Sequence, residues 1–143
     1  MANRDRATQK RYIKHRKQRP YSDTCTFCAI TTGHEEILRE TKRFKILINL
    51  FPYSDWDEQD VEHHIMIVPK KHVGGISEFS SSESIEFMGL LGSYERQGYN
   101  IWMRAPATIT KSVVHQHTHL IKPGNKTQSF LMFTKRPYLR IIR

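Results

Sequence analysis

Three of the chain's eight histidines, His115, His117 and His119, are spaced two residues apart in the stretch Ser112–Ile121, SVVHQHTHLI. The β-branched and aliphatic neighbours favour an extended backbone, in which side chains alternate between faces. The imidazoles are then expected in one row, about 6.6–7 Å from each to the next, with Val114 and Leu120 pointing to the other face, toward a core. Such a row suits two kinds of chemistry: holding a metal, or attack by a neutral ring nitrogen on phosphorus or carbon. A second group with chemical potential is Cys25 and Cys28, spaced C-x-x-C. That spacing favours metal binding or redox chemistry over a structural disulfide. No thioredoxin-like βαβ pattern surrounds it, so metal binding is the better reading. With no other cysteine in the chain, a reduced, cytoplasmic compartment is the simplest setting.

At 143 residues one domain is expected. No apolar run approaches the ~18 residues of a membrane span, and no apolar segment follows the basic N-terminus to make a secretory signal. The net charge of +9 is uneven: residues 1–20 carry +7, leaving +2 for the rest. Residues 1–20 are read as a basic arm without a regular apolar face, helical when bound and ended by Pro20. Residues 21–143 form the domain, including a basic C-terminal tail. Charge of this kind attracts polyanions without selecting one, so the arm is a candidate nucleic-acid contact as well as a solvated tail.

The elements that must position these residues are legible in outline. Thr24–Ile30 makes a tight knuckle that closes at Gly33. Phe44–Leu50 (FKILINL) and His64–Val68 (HIMIV) read as strands, separated by an acidic loop over 54–62 that is either solvated or an added wall with Trp56 as a stacker. Ser80 and Glu83 have the spacing of a capping box ahead of a helix over about 81–97. On it Phe87, Leu90, Leu91 and Tyr94 line a core stripe with Ile85 and Met88 beside it, and Gly98 suits its C-terminal cap. Tyr99–Arg104 is a strand, the histidine strand follows, and Pro123-Gly124-Asn125 turns the chain into a last strand at Ser129–Phe133. The class is α+β with an antiparallel sheet.

Taken together these segments resemble the histidine triad (HIT) superfamily of nucleotide hydrolases and transferases. His115–Ile121 fits its H-x-H-x-H pattern followed by two apolar residues. His64-Ile-Met-Ile-Val-Pro-Lys-Lys-His72 looks like its strand that starts with a fourth histidine and ends in Pro-Lys-x-His. Cys25-x-x-Cys28, upstream of that strand, matches the zinc-carrying branch. The resemblance spans about residues 24–124. It implies a five-stranded antiparallel sheet with one long and one short helix, and commonly a homodimer.

It also implies His117 as the nucleophile on the α-phosphorus of a nucleotide, through a covalent nucleotidyl-histidine. His119 and Ser112 would contact phosphate or leaving group, and Asn49 the ribose. The zinc ligands implied are Cys25, Cys28, His64 and His115, a closed tetrahedral set that makes the zinc structural. The chain departs from the pattern in several places. Gln116 and Thr118 stand where relatives have apolar residues, so the face opposite the triad is expected to be less buried. Thr110-Lys111-Ser112 replaces the usual Gly-Gln-Ser or Gly-Gln-Thr, leaving Lys111 as the candidate contact to an anionic leaving group. Two functions of different class follow: an enzyme acting on phosphoramidates, dinucleoside polyphosphates or adenylylated groups, or a non-catalytic nucleotide- or nucleic-acid-binding module.

Overall fold

The computed structural model describes residues 3–18, 25–127, 131–135 and 138–142. The arm contributes α1 (Arg6–Gln18), started by the Asp5 carboxylate, which accepts from the backbone N–H groups of Ala7 and Thr8 at 2.8 and 2.9 Å. Pro20 lies outside the described residues. A short α2 (Thr26–Ala29) forms the knuckle, and Gly33 beyond it takes a positive φ of 88°. The strands are β1 (Ile37–Glu40), β2 (Phe44–Ile48), β3 (Asp55–Trp56), β4 (Gln59–Pro69), β5 (Asn100–Met103) and β6 (Thr118–Thr127), with α3 (Ser81–Glu95) between β4 and β5. Antiparallel pairing runs in the order β1-β2-β4-β6-β5, and β3 pairs with the start of β4.

The α+β class and the five-stranded antiparallel frame are as the sequence indicates, but the strand list differs. Strand β1 had no expected counterpart: Ile37–Glu40 mixes charge with apolar residues, so its pattern is weak, and pairing to β2 decides it. The expected last strand is not part of this sheet. Leu131–Lys135 (β7) pairs instead with Tyr138–Ile142 (β8), and Ser129 and Phe130 lie outside the described residues. Pro123-Gly124-Asn125 does not turn the chain. Strand β6 runs through it because the register with β4 shifts between Gln59, Val61 and His63, which accommodates a proline within the ladder. A Cβ at Gly124 would lie 2.5 Å from the Asp60 carboxylate, so a larger residue there would have to displace that side chain.

Alternation along the sheet separates two cores. Ile65 and Ile67 of β4, Phe44 and Ile46 of β2 and Leu120 of β6 pack under Phe87, Leu90 and Leu91 of α3. On the other face Leu47, Met66 and Val68 pack against Phe27 and Ile30 of the knuckle. The capping box forms as expected: Glu83 N donates to Ser80 Oγ at 3.3 Å, and Ser80 N donates to Glu83 Oε2 at 2.8 Å. Ile85 and Met88 do not join the core; they are 76% and 64% exposed on the outer side of α3. The acidic segment is a hairpin rather than an open loop, with Asp57 and Glu58 at φ 52° and 65° forming the tight turn between β3 and β4.

Candidate active site and metal centre

The even positions of β4 put His64 on the knuckle face together with Met66 and Val68, and pairing of Met66 with His119 brings the triad strand beside it. The triad itself is only partly on a strand. His115 and His117 precede β6, and the His117 and His119 ring centroids lie 5.2 Å apart. All three are buried. The residues between them overturn two expectations. Gln116 and Thr118 are buried, not a thinly covered face, because they satisfy one another: Gln116 Nε2 donates to Thr118 Oγ1 at 3.4 Å, and Lys111 Nζ donates to Gln116 Oε1 at 3.3 Å. Val114 is 65% exposed instead of core-directed, because the extended strand begins only after it.

Hydrogen bonds define which ring nitrogen carries each proton. A carbonyl can only accept, so the His117 Nδ1–H donates to His115 O at 2.8 Å and leaves the Nε2 lone pair of His117 free. A backbone N–H can only donate, so Tyr53 N, 3.1 Å away, makes His64 Nδ1 an acceptor and puts the His64 proton on Nε2. That Nε2–H faces His119 Nδ1 at 2.9 Å, which leaves the His119 proton on Nε2 as a donor. Burial lowers the pKa of all three rings; with Arg4 and His63 adding to it His64 reaches about 3, and Lys111 and Arg104 act in the same direction on His117. The result is a neutral nucleophilic nitrogen on His117 beside a neutral N–H donor on His119.

His115 faces a different way. Its Nε2–H donates to Pro69 O at 2.9 Å, so its Nδ1 lone pair is directed at the thiols, 3.4 Å from Cys25 Sγ and 3.5 Å from Cys28 Sγ. The fourth member of this group is His72, whose Nδ1 lies 3.3 Å from Cys28 Sγ; the four donor atoms lie within 4.8 Å of one another. His64 does not join them. It is committed to His119 and Tyr53 at the far end of the triad, so the expected ligand set is corrected from His64 to His72. The donors fit zinc: bonds of about 2.3 Å to sulfur and about 2.0 Å to nitrogen at a tetrahedral angle place S and N ligands roughly 3.5 Å apart. Burial raises the Cys28 thiol, with Cys25 beside it adding to the effect, and a bound cation would reverse that. Buried Lys45 closes the knuckle from below, its Nζ donating to Phe27 O and Ile30 O.

A cavity of about 660 Å³ opens over His117 and His119, within the range of small-molecule sites. Ser112 and Lys111 line its wall, with Lys111 Nζ tied to Gly74 O at 2.8 Å. Asn49 also lines it, but its amide is engaged internally: Oδ1 accepts from Phe51 N at 3.0 Å, and Nδ2 lies against the His64 ring, 3.0 Å from Nε2 and 3.4 Å from Nδ1. Residues with no sequence signal complete the enclosure. The Phe27 ring lies tilted against His117 at 5.2 Å and Tyr53 lies against His119 at 5.9 Å, with Trp102 behind His119 at 5.1 Å. Trp56 packs on Tyr53 and Trp102, behind this wall rather than in the cavity. The arm reaches the site too. Thr8, Tyr12 and His15 form its half-buried stripe, and Arg4, Tyr12, His15 and Arg16 line the cavity. Only three-dimensional packing reveals this, since the stripe is not apolar.

No family model matches the sequence, and no curated protein matches it. Solved structures do. A HIT family hydrolase from Clostridium thermocellum is 18% identical, covering 77% of this chain and 99% of that one, with a TM-score of 0.53. A HIT family hydrolase from Legionella pneumophila Philadelphia 1 is 21% identical over 73% and 95%, with a TM-score of 0.51. A Zn-bound histidine triad family protein from Mycobacterium smegmatis is 21% identical over 71% and 76%, with a TM-score of 0.50. At these identities the likeness is one of fold, and the chain has the fold of the histidine triad proteins.

Proposed function

We propose that the protein is a histidine triad nucleotide hydrolase or nucleotidyl transferase that works through a covalent intermediate on His117. The observation that carries this reading is the proton arrangement: a free Nε2 lone pair on a buried, neutral His117 beside the Nε2–H of His119, in a cavity with cationic walls. Nε2 of His117 attacks the α-phosphorus, a P–N bond forms, and the bond from phosphorus to the leaving oxygen or nitrogen breaks. The leaving group departs with the electron pair and takes up a proton from solvent, while His119 donates to a phosphate oxygen and Ser112 and Lys111 line the cavity beside it. Water then attacks phosphorus, the P–N bond breaks and His117 is restored. If another hydroxyl or phosphate attacks instead, the reaction is a transfer. Candidate substrates are nucleoside phosphoramidates, dinucleoside polyphosphates and adenylylated groups.

Cys25, Cys28, His72 and His115 would hold the zinc. A closed set of four leaves no position for substrate, so its contribution is structural: it fastens the knuckle to the segment that presents His117. A homodimer fits the outer side of α3, where Ile85 and Met88 share a stripe with Gly89 and Gly92 at i, i+3, i+4, i+7 spacing.

The test is turnover of an adenosine phosphoramidate and a dinucleoside polyphosphate by wild type and His117→Ala, with zinc content and folding checked in both. Loss of at least about a thousandfold in kcat is expected, together with loss of a nucleotidyl adduct in intact-mass spectra. An inert wild type, or a variant that keeps its rate, rejects the enzymatic reading. The second reading is a binding module that grips nucleic acid through the exposed basic residues of α1. It is favoured if the inert protein binds nucleic acid with a steep salt dependence that is lost on deleting residues 1–18.

A further inference from the structure

Helix α1 does more than add charge, because it is fastened to the rim of the cavity at several points. Arg4 Nε donates to Phe51 O at 2.8 Å and Arg11 Nη2 donates to Leu50 O at 3.1 Å. The Phe51 ring sits between Tyr12 at 5.5 Å and His15 at 5.0 Å. Before the helix, Asn3 pairs with Asp55 as an isolated bridge, and Ser54 N donates to Asn3 O at 2.8 Å. These contacts hold the start and the inner stripe of α1 in one place, so its side chains form a standing wall.

Two guanidinium groups converge on one ring of that wall. The Arg4 guanidinium carbon lies 4.4 Å from the Tyr12 centroid and 4.7 Å from that of Tyr53, and the Arg16 guanidinium carbon lies 5.8 Å from the Tyr12 centroid. Among the described residues neither has a carboxylate within ion-pair distance. Glu36 is the one acidic residue among the described lining residues, against Arg4, Arg16, Arg104 and Lys111. Each guanidinium is attracted to the ring face, and the two together leave positive charge at the cavity edge that an anion would neutralise. The phosphate under attack belongs at the other pole, between His117, His119 and Lys111. A cavity with two cationic poles suits a molecule with two anionic groups.

We propose that Arg4 and Arg16, flanking Tyr12, form a second phosphate subsite that takes a phosphate the substrate carries beyond the one attacked by His117. The inference rests on the nucleotide-site reading above and narrows its substrate class: a nucleotide with a further phosphate, free or as the linkage to a next residue, binds better than a simple monophosphate. Arg16 is exposed at the cavity edge, so replacing it should not disturb folding.

The experiment is calorimetric titration of adenosine 5′-monophosphate and adenosine 3′,5′-bisphosphate into wild type and Arg16→Gln at fixed ionic strength. Wild type is expected to prefer the bisphosphate by about tenfold, a charge-assisted contact's worth, and Arg16→Gln to lose most of that preference, with a far smaller loss in monophosphate affinity. Arg4→Gln should lose it as well. Equal affinities in wild type, or a preference that survives Arg16→Gln, overturn the subsite. If neither nucleotide binds, the nucleotide-site reading fails and the subsite with it. If the monophosphate binds and His117→Ala is inactive, but no bisphosphate preference exists, the subsite alone fails. A dinucleotide joined through the same 3′ phosphate identifies the source: binding equal to the bisphosphate supports a strand-linked phosphate, and weaker binding supports a terminal one.

Discussion

For His117 the decisive variable is whether Nε2 keeps its lone pair as the pH falls. Burial lowers its pKa, and the cations Lys111 and Arg104 act in the same direction. The acid limb of kcat should therefore lie below the ordinary histidine value of about 6.5, with a smaller loss of rate between pH 7 and 6 than an ordinary histidine would give. A rate that halves near pH 6.5 would show that the ring is not shielded in this way. His64 makes a matching statement about stability. Its folded pKa is pushed down to about 3, whereas the unfolded chain titrates near 6.5. Between those values the unfolded state binds a proton that the folded state refuses. This contribution is therefore fully present above about 6.5 and is lost as pH falls toward about 3, with a slope of up to about 1.4 kcal/mol per pH unit. Urea unfolding of wild type and His64→Asn across pH 7.5 to 4 reads that slope, which should be shallower in the variant. The spacing of the triad was legible because period-two alternation is local; the protons were not, since they depend on Tyr53 N and His115 O.

Among the elements, the knuckle and the end of β4 carry the metal question. The sequence places C-x-x-C correctly and also displays His72 in its Pro-Lys-x-His segment, yet the resemblance led to His64 as the ligand. In the fold, Pro69 ends β4 and the chain then carries His72 over to the thiols, while His64 stays five residues back on the strand facing His119. His72→Ala is therefore expected to lose stoichiometric zinc and to lower Tm by several degrees, on the order of 1–3 kcal/mol of stability. His64→Asn should keep its zinc. Metal analysis by plasma emission on the two variants decides, and retained zinc in His72→Ala would restore the original assignment. Strand β1 and the continuation of β6 through Pro123 were not legible for one reason: ladder partners, not local preference, create them.

At the scale of the whole molecule, α3 and α1 show two faces that composition alone treats alike. The buried stripe of α3 was readable from helical spacing, but Ile85 and Met88 turn outward. An apolar stripe beside two glycines on an exposed helix is suited to a second copy. Met88→Asp is expected to convert a dimer to a monomer in sedimentation velocity, with Tm lower by several degrees or less at the same concentration. A wild type that sediments as a monomer at every concentration removes this surface from consideration. No helix among the described residues is long and apolar enough to cross a membrane.

What the sequence alone determined were features that repeat within a few residues. These are the alternating histidines, the C-x-x-C pair, the Ser80–Glu83 cap, the stripe of α3 and the apolar runs that become β2 and β4. The cap, the stripe and the apolar runs are set by the backbone period of their own elements, whereas the histidines and the cysteine pair are legible only as spacing, since His115 and His117 precede β6. The tertiary structure decided everything that requires distant segments to meet: His72 rather than His64 at the thiols, burial of Gln116 and Thr118, the direction of each imidazole proton, and the folding of a basic arm onto the cavity. That last point separates the two levels most clearly. The charge of residues 1–20 is visible in the sequence, but Tyr12 and His15 gain meaning only from the Phe51 ring they pack against. Polar and aromatic contacts of that kind leave no hydrophobic period to read.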